Sequence, residues 1–123
     1  MKKKILVIDD NKQSRMLAVD LLSYRGYEVV AAADGAQGIR MAKEERPDLI
    51  IMDIQMPDMD GFSALKMLKD DLETKEIKVI AITALAMKGD MEKVLDAGFD
   101  SYMSKPIDTR RLPELVKEIL NLM

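Results

Sequence analysis

The chain has no histidine and no cysteine among its 123 residues. Without an imidazole it can build no His-based acid–base pair, no Ser-His-Asp triad and no His-ligated zinc site. Without a thiol it has no disulfide framework and no thiolate metal site, which suits a cytosolic protein. An excess of positive charge is missing too. Nineteen basic side chains stand against 22 acidic ones, which leaves no electrostatic footprint for nucleic acid or an anionic membrane. No apolar run approaches the ~20 residues of a membrane span. The opening "MKKKILVIDD" has a basic head, but its short apolar run stops at two acids. It reads as a strand, not a signal peptide. What remains for chemistry is carboxylate, lysine, hydroxyl and phenol.

What is present is alternation. Short apolar runs at 4–8 (KILVI), 28–32 (EVVAA), 49–53 (LIIMD) and 78–82 (KVIAI) suit strands covered on both faces. A fifth strand, 101–104 (SYMS), is assigned mainly by position. Between them the spacing predicts helices over about 12–25, 35–45, 61–70, 88–97 and 109–122. Asn11, Asp34, Asp60 and Asp108 serve as N-caps, and Gly26 and Gly98 as stops. Leu17, Leu21, Leu22 and Tyr24 are expected on the inner face of the first helix. Ala36, Ile39 and Ala42 are expected inside on the second, and Phe62, Leu65 and Leu68 on the third. Pro113 would fall at the fifth helical position of the last helix and make its first turn irregular. Five βα repeats without a linker imply one α/β domain over 1–123, a doubly wound parallel sheet with helices on both faces. No output domain is expected within the chain.

In open parallel sheets the ligand site lies beyond the carboxyl ends of the strands. Those ends carry Asp9 and Asp10, then Asp53, Thr83 and Lys105. Each has a plain reading: paired acids open a turn, a strand threonine satisfies its own hydroxyl, a lysine is solvated. Their joint placement at one sheet edge argues for a site. Three carboxylates brought together repel, so they call for a cation or for shifted protonation. Hard oxygen ligands favour Mg²⁺, which takes one or two carboxylates plus a phosphate. A carboxylate can also accept a phosphoryl group. In "LIIMDIQMPDMDG" Asp53 belongs to this cluster, Asp60 caps the third helix and Asp58 after Pro57 holds a turn.

Asp9-Asp10 after the first strand, Asp53 before "IQMPDMDG", Thr83 in "ITALA" and the "SKP" at 104–106 together resemble the response-regulator receiver domain of two-component signalling. The match runs through nearly the whole chain and is most similar to the stand-alone, CheY/DivK-like type. The resemblance implies a flavodoxin-like sheet of five strands in order 2-1-3-4-5. It implies Asp53 as phosphoacceptor and Mg²⁺ held by Asp9, Asp10, Asp53 and the backbone carbonyl of Gln55. Thr83 and Lys105 would bind the phosphoryl group, Thr83 and Tyr102 would form the switch, and the Lys105–Pro106 bond would be cis. Gln55 and Leu85 occupy positions that influence self-hydrolysis, and the apolar Leu85 implies a slow to intermediate rate.

The resemblance implies a sensor histidine kinase or a histidine phosphotransfer protein as donor; because this chain has no histidine, the donor must be another protein or a small acyl phosphate. The implied response is altered binding of a downstream protein through helix 4, strand 5 and helix 5. Met87, Met91 and Met103 would offer adaptable contacts there, or fill core. The implied state is a cytoplasmic monomer or a phosphorylation-dependent dimer, with no direct nucleic-acid or membrane partner. Self-modification alone would not make it an enzyme on external substrates. Two other readings stay open: an Asp-nucleophile phosphatase and a phosphate-independent binding module. The residue two after Asp53 is Gln55, so the D-x-D arrangement of such a phosphatase is absent.

Overall fold

The expected alternation is realised in full. The computed structural model describes residues 2–84 and 88–121. The elements run β1 (Lys4–Ile8), α1 (Lys12–Tyr24), β2 (Glu28–Ala32), α2 (Gly35–Glu45), β3 (Leu49–Asp53), α3 (Gly61–Lys69), β4 (Lys78–Thr83), α4 (Lys88–Asp96), β5 (Ser101–Ser104) and α5 (Arg111–Asn121). All strand pairs are parallel and the sheet order is β2-β1-β3-β4-β5. This is the doubly wound arrangement expected from the sequence.

Side chains alternate across a strand, so each strand feeds two cores. Ile5, Val7, Leu49, Ile51, Ile80, Ile82 and Met103 meet Ala18 and Leu22 of α1 and Leu112, Leu115, Val116 and Ile119 of α5. The alternate residues Leu6, Ile8, Ile50, Met52, Val79 and Ala81 meet Ile39 and Ala42 of α2, Leu65 and Leu68 of α3, and Val94 of α4. The strand runs look uniformly apolar because both faces are covered.

The helix starts follow local chemistry. The side chains of Asn11, Asp34 and Asp60 accept N–H bonds from Ser14, Gln37 and Ser63 at 3.0, 2.8 and 2.8 Å. Such caps satisfy amides that have no partner within the helix. Gly26 and Gly98 have φ of +94° and +112°, the left-handed region where a side chain is strained.

Several sequence expectations need correction. Helix α5 starts at Arg111, not at 109. The Asp108 carboxylate takes the N–H groups of both Arg110 and Arg111, at 2.9 and 3.0 Å, and this holds 109–110 in a turn. Pro113 therefore falls in the first helical turn, where its missing N–H costs nothing. Tyr24 is 89% exposed and Leu17 is also exposed, because Ala18 and Leu22, four apart, define the inner stripe of α1. Ala36 is exposed, and Gly35 and Gly38 line the inner face of α2 instead. A Cβ on Gly38 would lie 2.4 Å from Ile8 Cδ1, so α2 packs on β1 at glycine distance. Phe62 lies at the surface, its ring edge-on to Phe99 with centroids 6.0 Å apart. Met103 is buried against the α1/α5 side and Met91 is exposed. Leu85, Ala86, Met87 and Leu122 lie outside the described residues.

Candidate functional site

Parallel pairing sets the register of the site. Ile8 pairs with Met52, Asp53 with Ile82, and Thr83 with Ser104. The next residues along β1 and β5, Asp9 and Lys105, therefore emerge beside Asp53. Strand parity adds a division. Asp9, Asp53 and Lys105 continue the α1/α5 face of their strands, after Val7, Ile51 and Met103. Thr83 and Tyr102 continue the opposite face. There Tyr102, half-buried, packs on the core cluster of α2, α3 and α4. Thr83 is buried and lines a cavity of about 220 Å³ with Ile54, Phe62, Asp90, Lys93 and Val94.

Carboxylate oxygens of Asp9, Asp10 and Asp53 lie within 4.8 Å of one another. Asp9 and Asp53 are buried, 3% and 4% exposed, and Asp10 is open to solvent. Lys105 Nζ stands 3.0 Å from Asp53 Oδ2 and 3.3 Å from Asp9 Oδ2. Asp9 Oδ1 also accepts the Asn11 N–H at 2.9 Å, and Asp53 Oδ1 accepts the Gln55 N–H at 3.0 Å. The Lys105 N–H donates to the Thr83 carbonyl at 2.8 Å, tying the ends of β4 and β5. The Lys105–Pro106 peptide is cis.

One ammonium shared by two buried acids does not neutralise them. Burial pushes the Asp53 carboxyl from 3.8 up to about 6, against the opposing pull of the Lys105 ammonium and the Gln55 N–H, and the Asp9 charge adds to the rise. Burial acts to lower the Lys105 ammonium, yet the charges and hydrogen bonds of Asp53 and Asp9 leave it raised. Asp53 is thus a carboxylate whose negative charge calls for a further cation. The donor set is all oxygen and sits at a solvent-facing mouth, which fits Mg²⁺ with several retained waters.

The remainder of "IQMPDMDG" is structural. Asp60 caps α3, and Asp58 holds a left-handed turn at φ +67°. Gly61, to which the sequence reading gave no role beyond opening α3, closes the loop. Its N–H donates to the Ile54 carbonyl at 2.8 Å, and a Cβ there would lie 2.7 Å from Ile54 Cα. The sequence signal was the Asp-Gly pair after a Pro-containing loop. Arg15 was also missed. Its Nη1 donates to the Asp9 carbonyl at 2.8 Å, a contact that nothing in the local sequence pattern announces.

Comparison with known proteins agrees with this geometry. The family model of the response regulator receiver domain matches residues 5–117. The polar-differentiation response regulator DivK of Brucella anthropi is 43% identical over 120 residues, covering 98% of each chain. The chemotaxis response regulator CheY4 of Vibrio cholerae superposes with a TM-score of 0.91 at 27% identity, over 97% of this chain and 99% of that one. The receiver domain of sensor histidine kinase PA1611 from Pseudomonas aeruginosa holds a magnesium ion in its active-site cleft. It matches with a TM-score of 0.89 at 32% identity, over 98% of this chain and 99% of its own. The acids at the sheet edge, the 2-1-3-4-5 order and these full-length likenesses establish that the chain belongs to the response-regulator receiver family of two-component signalling.

Proposed function

We propose that the chain accepts a phosphoryl group on Asp53 from a phosphohistidine donor and, in that state, changes its affinity for a downstream protein. The observation that carries this reading is the position of Asp53, a buried acid that shares Lys105 with Asp9 and has Asp10 at the mouth beside it. A carboxylate oxygen of Asp53 forms the new O–P bond as the N–P bond of the donor imidazole breaks. Lys105, 3.0 Å from Asp53, stays within reach of the phosphoryl oxygens. Asp9, Asp10, Asp53 and the Gln55 carbonyl would hold Mg²⁺, whose charge offsets that of the phosphoryl oxygens when it is bound. The donor is a sensor histidine kinase or a histidine phosphotransfer protein in the cytoplasm.

Thr83 and Tyr102 are the proposed relay. Both continue the α2–α4 face of their strands, and the cavity beside Thr83 leaves room for its hydroxyl to turn toward the phosphoryl group. The Tyr102 ring then packs differently and alters the α4, β5 and α5 face. A coupling of about 1–3 kcal/mol would change partner affinity about 5- to 150-fold.

Acetyl phosphate with Mg²⁺ should label wild type at one equivalent, with the modification on Asp53 and labile to both acid and base. Asp53→Asn should take up none by intact-mass analysis, and full labelling of that variant would overturn the assignment. Turnover of many equivalents of an external substrate would instead favour a phosphatase. Tyr102→Ala should keep the labelling and lose most of the phosphate-dependent change in partner affinity. An unchanged phosphate response would remove Tyr102 from the relay.

A further inference from the structure

Two of the three site acids sit on the β1–α1 loop, and they are held very differently. Every polar backbone and carboxylate group of Asp9 is engaged. Its N–H donates to the Ala32 carbonyl at 3.1 Å, its carbonyl accepts Arg15 Nη1 at 2.8 Å, and its carboxylate takes the Asn11 N–H and the Lys105 ammonium. Asp10 is exposed, and among the described residues its carboxylate makes no hydrogen bond or ion pair. The direction in which Asp10 leaves the loop is therefore set by the peptide that joins it to Asp9. Among the described residues, Arg15 is the side chain bonded to that peptide. It reaches back from the first turn of α1, whose own start is fixed by the Asn11 cap.

We propose that Arg15 is a positioning residue for the divalent-cation site: it fixes the Asp9–Asp10 peptide and so sets the angle between the two carboxylates. This rests on the reading that these acids hold Mg²⁺. Mg²⁺ demands near-octahedral geometry and tolerates misplaced ligands poorly. Partners behind the ligands commonly change metal affinity by about 10- to 100-fold. The guanidinium suits the task because it offers rigid, planar donors, whereas an ammonium is a compact charge on a flexible stem.

Position and charge predict opposite signs. A guanidinium near an acidic cluster repels a divalent cation, so its removal for purely electrostatic reasons would tighten Mg²⁺ binding. Loss of positioning weakens it. Calorimetric titration with MgCl₂ of wild type, Arg15→Met and Arg15→Lys separates the two. Arg15→Met should bind Mg²⁺ about tenfold more weakly. Arg15→Lys, which keeps the charge, should also bind more weakly than wild type. Labelling of Asp53 by acetyl phosphate should need correspondingly more Mg²⁺ for half-saturation and reach the wild-type extent at saturation. Metal-free melting curves of the variants serve as the folding control, and Arg15→Lys alone decides the matter if Arg15→Met does not fold. Unchanged or tighter Mg²⁺ binding in the folded variants would overturn the proposal. A wild type that binds no Mg²⁺ would overturn the parent reading as well, so the two failures are distinct.

Discussion

A lysine stands between two acids at each end of the parallel sheet. At the amino-terminal edge Lys4 Nζ lies 3.1 Å from both Glu28 and Glu45. At the carboxyl-terminal edge Lys105 Nζ lies 3.0 Å from Asp53 and 3.3 Å from Asp9. The distances are alike and the surroundings are not. The two glutamates are 54% and 37% exposed, whereas the two aspartate side chains are each 4% exposed. Water screens the first triad, so it contributes little to stability. Burial denies screening to the second, and the charge left over on Asp53 becomes available for chemistry. Side-chain length is part of the difference. Place in the fold is the other part: Glu28 opens the edge strand β2 and Glu45 closes α2, whereas Asp53 ends β3 and Asp9 follows β1, both central strands.

The sharpest way to break this comparison is to remove the excess charge. With the folded-state carboxyl raised from 3.8 to about 6, ionised Asp53 opposes folding. The sign follows from linkage: stability falls as pH rises from about 4 through about 6, and the loss is complete above that. Asp53→Asn should therefore stabilise the metal-free protein at pH 7–8. The gap, at about 1.4 kcal/mol per pH unit, sets an upper limit of about 3 kcal/mol. The gain should fade as pH drops toward 4. Urea unfolding at several pH values checks both, and a destabilised Asn variant at pH 8 would contradict the account.

A smaller effect tests the shared ammonium. Lys105→Met removes the cation that holds Asp53 down, so the Asp53 carboxyl should titrate above about 6. Carboxyl ¹³C shifts of labelled aspartate against pH report this directly, and a lower midpoint would refute the shared-cation picture. The smallest effect belongs to the other edge. Lys4→Met should barely move Tm, and any difference should vanish at high salt. A large, salt-resistant loss would mean that the two triads are not the contrast drawn here.

Legibility in the sequence followed the same divide. Element positions were readable because apolar runs and caps are local signals. Asn11, Asp34 and Asp60 each cap the helix expected of them. The phase of α1 was misread because three leucines and a tyrosine crowd two faces, and only contact with the sheet selects Ala18 and Leu22. The start of α5 was misplaced because one carboxylate, Asp108, captures two successive amides, which spacing does not reveal.

The sequence by itself determined the chemical inventory: no imidazole or thiol, acids and a lysine at strand ends, and a parallel sheet whose carboxyl edge gathers them. It separated Asp53 from its neighbours Asp58 and Asp60, which serve the turn and the cap. Only the tertiary structure decided which acids are buried, which of them share Lys105, and that Thr83 and Tyr102 look to the opposite side of the sheet from Asp53. It alone showed Arg15 on the Asp9 carbonyl and the close approach that Gly61 permits. Composition and period are properties of the chain, whereas burial and charge sharing arise from groups up to 96 residues apart, such as Asp9 and Lys105, once the strands pair.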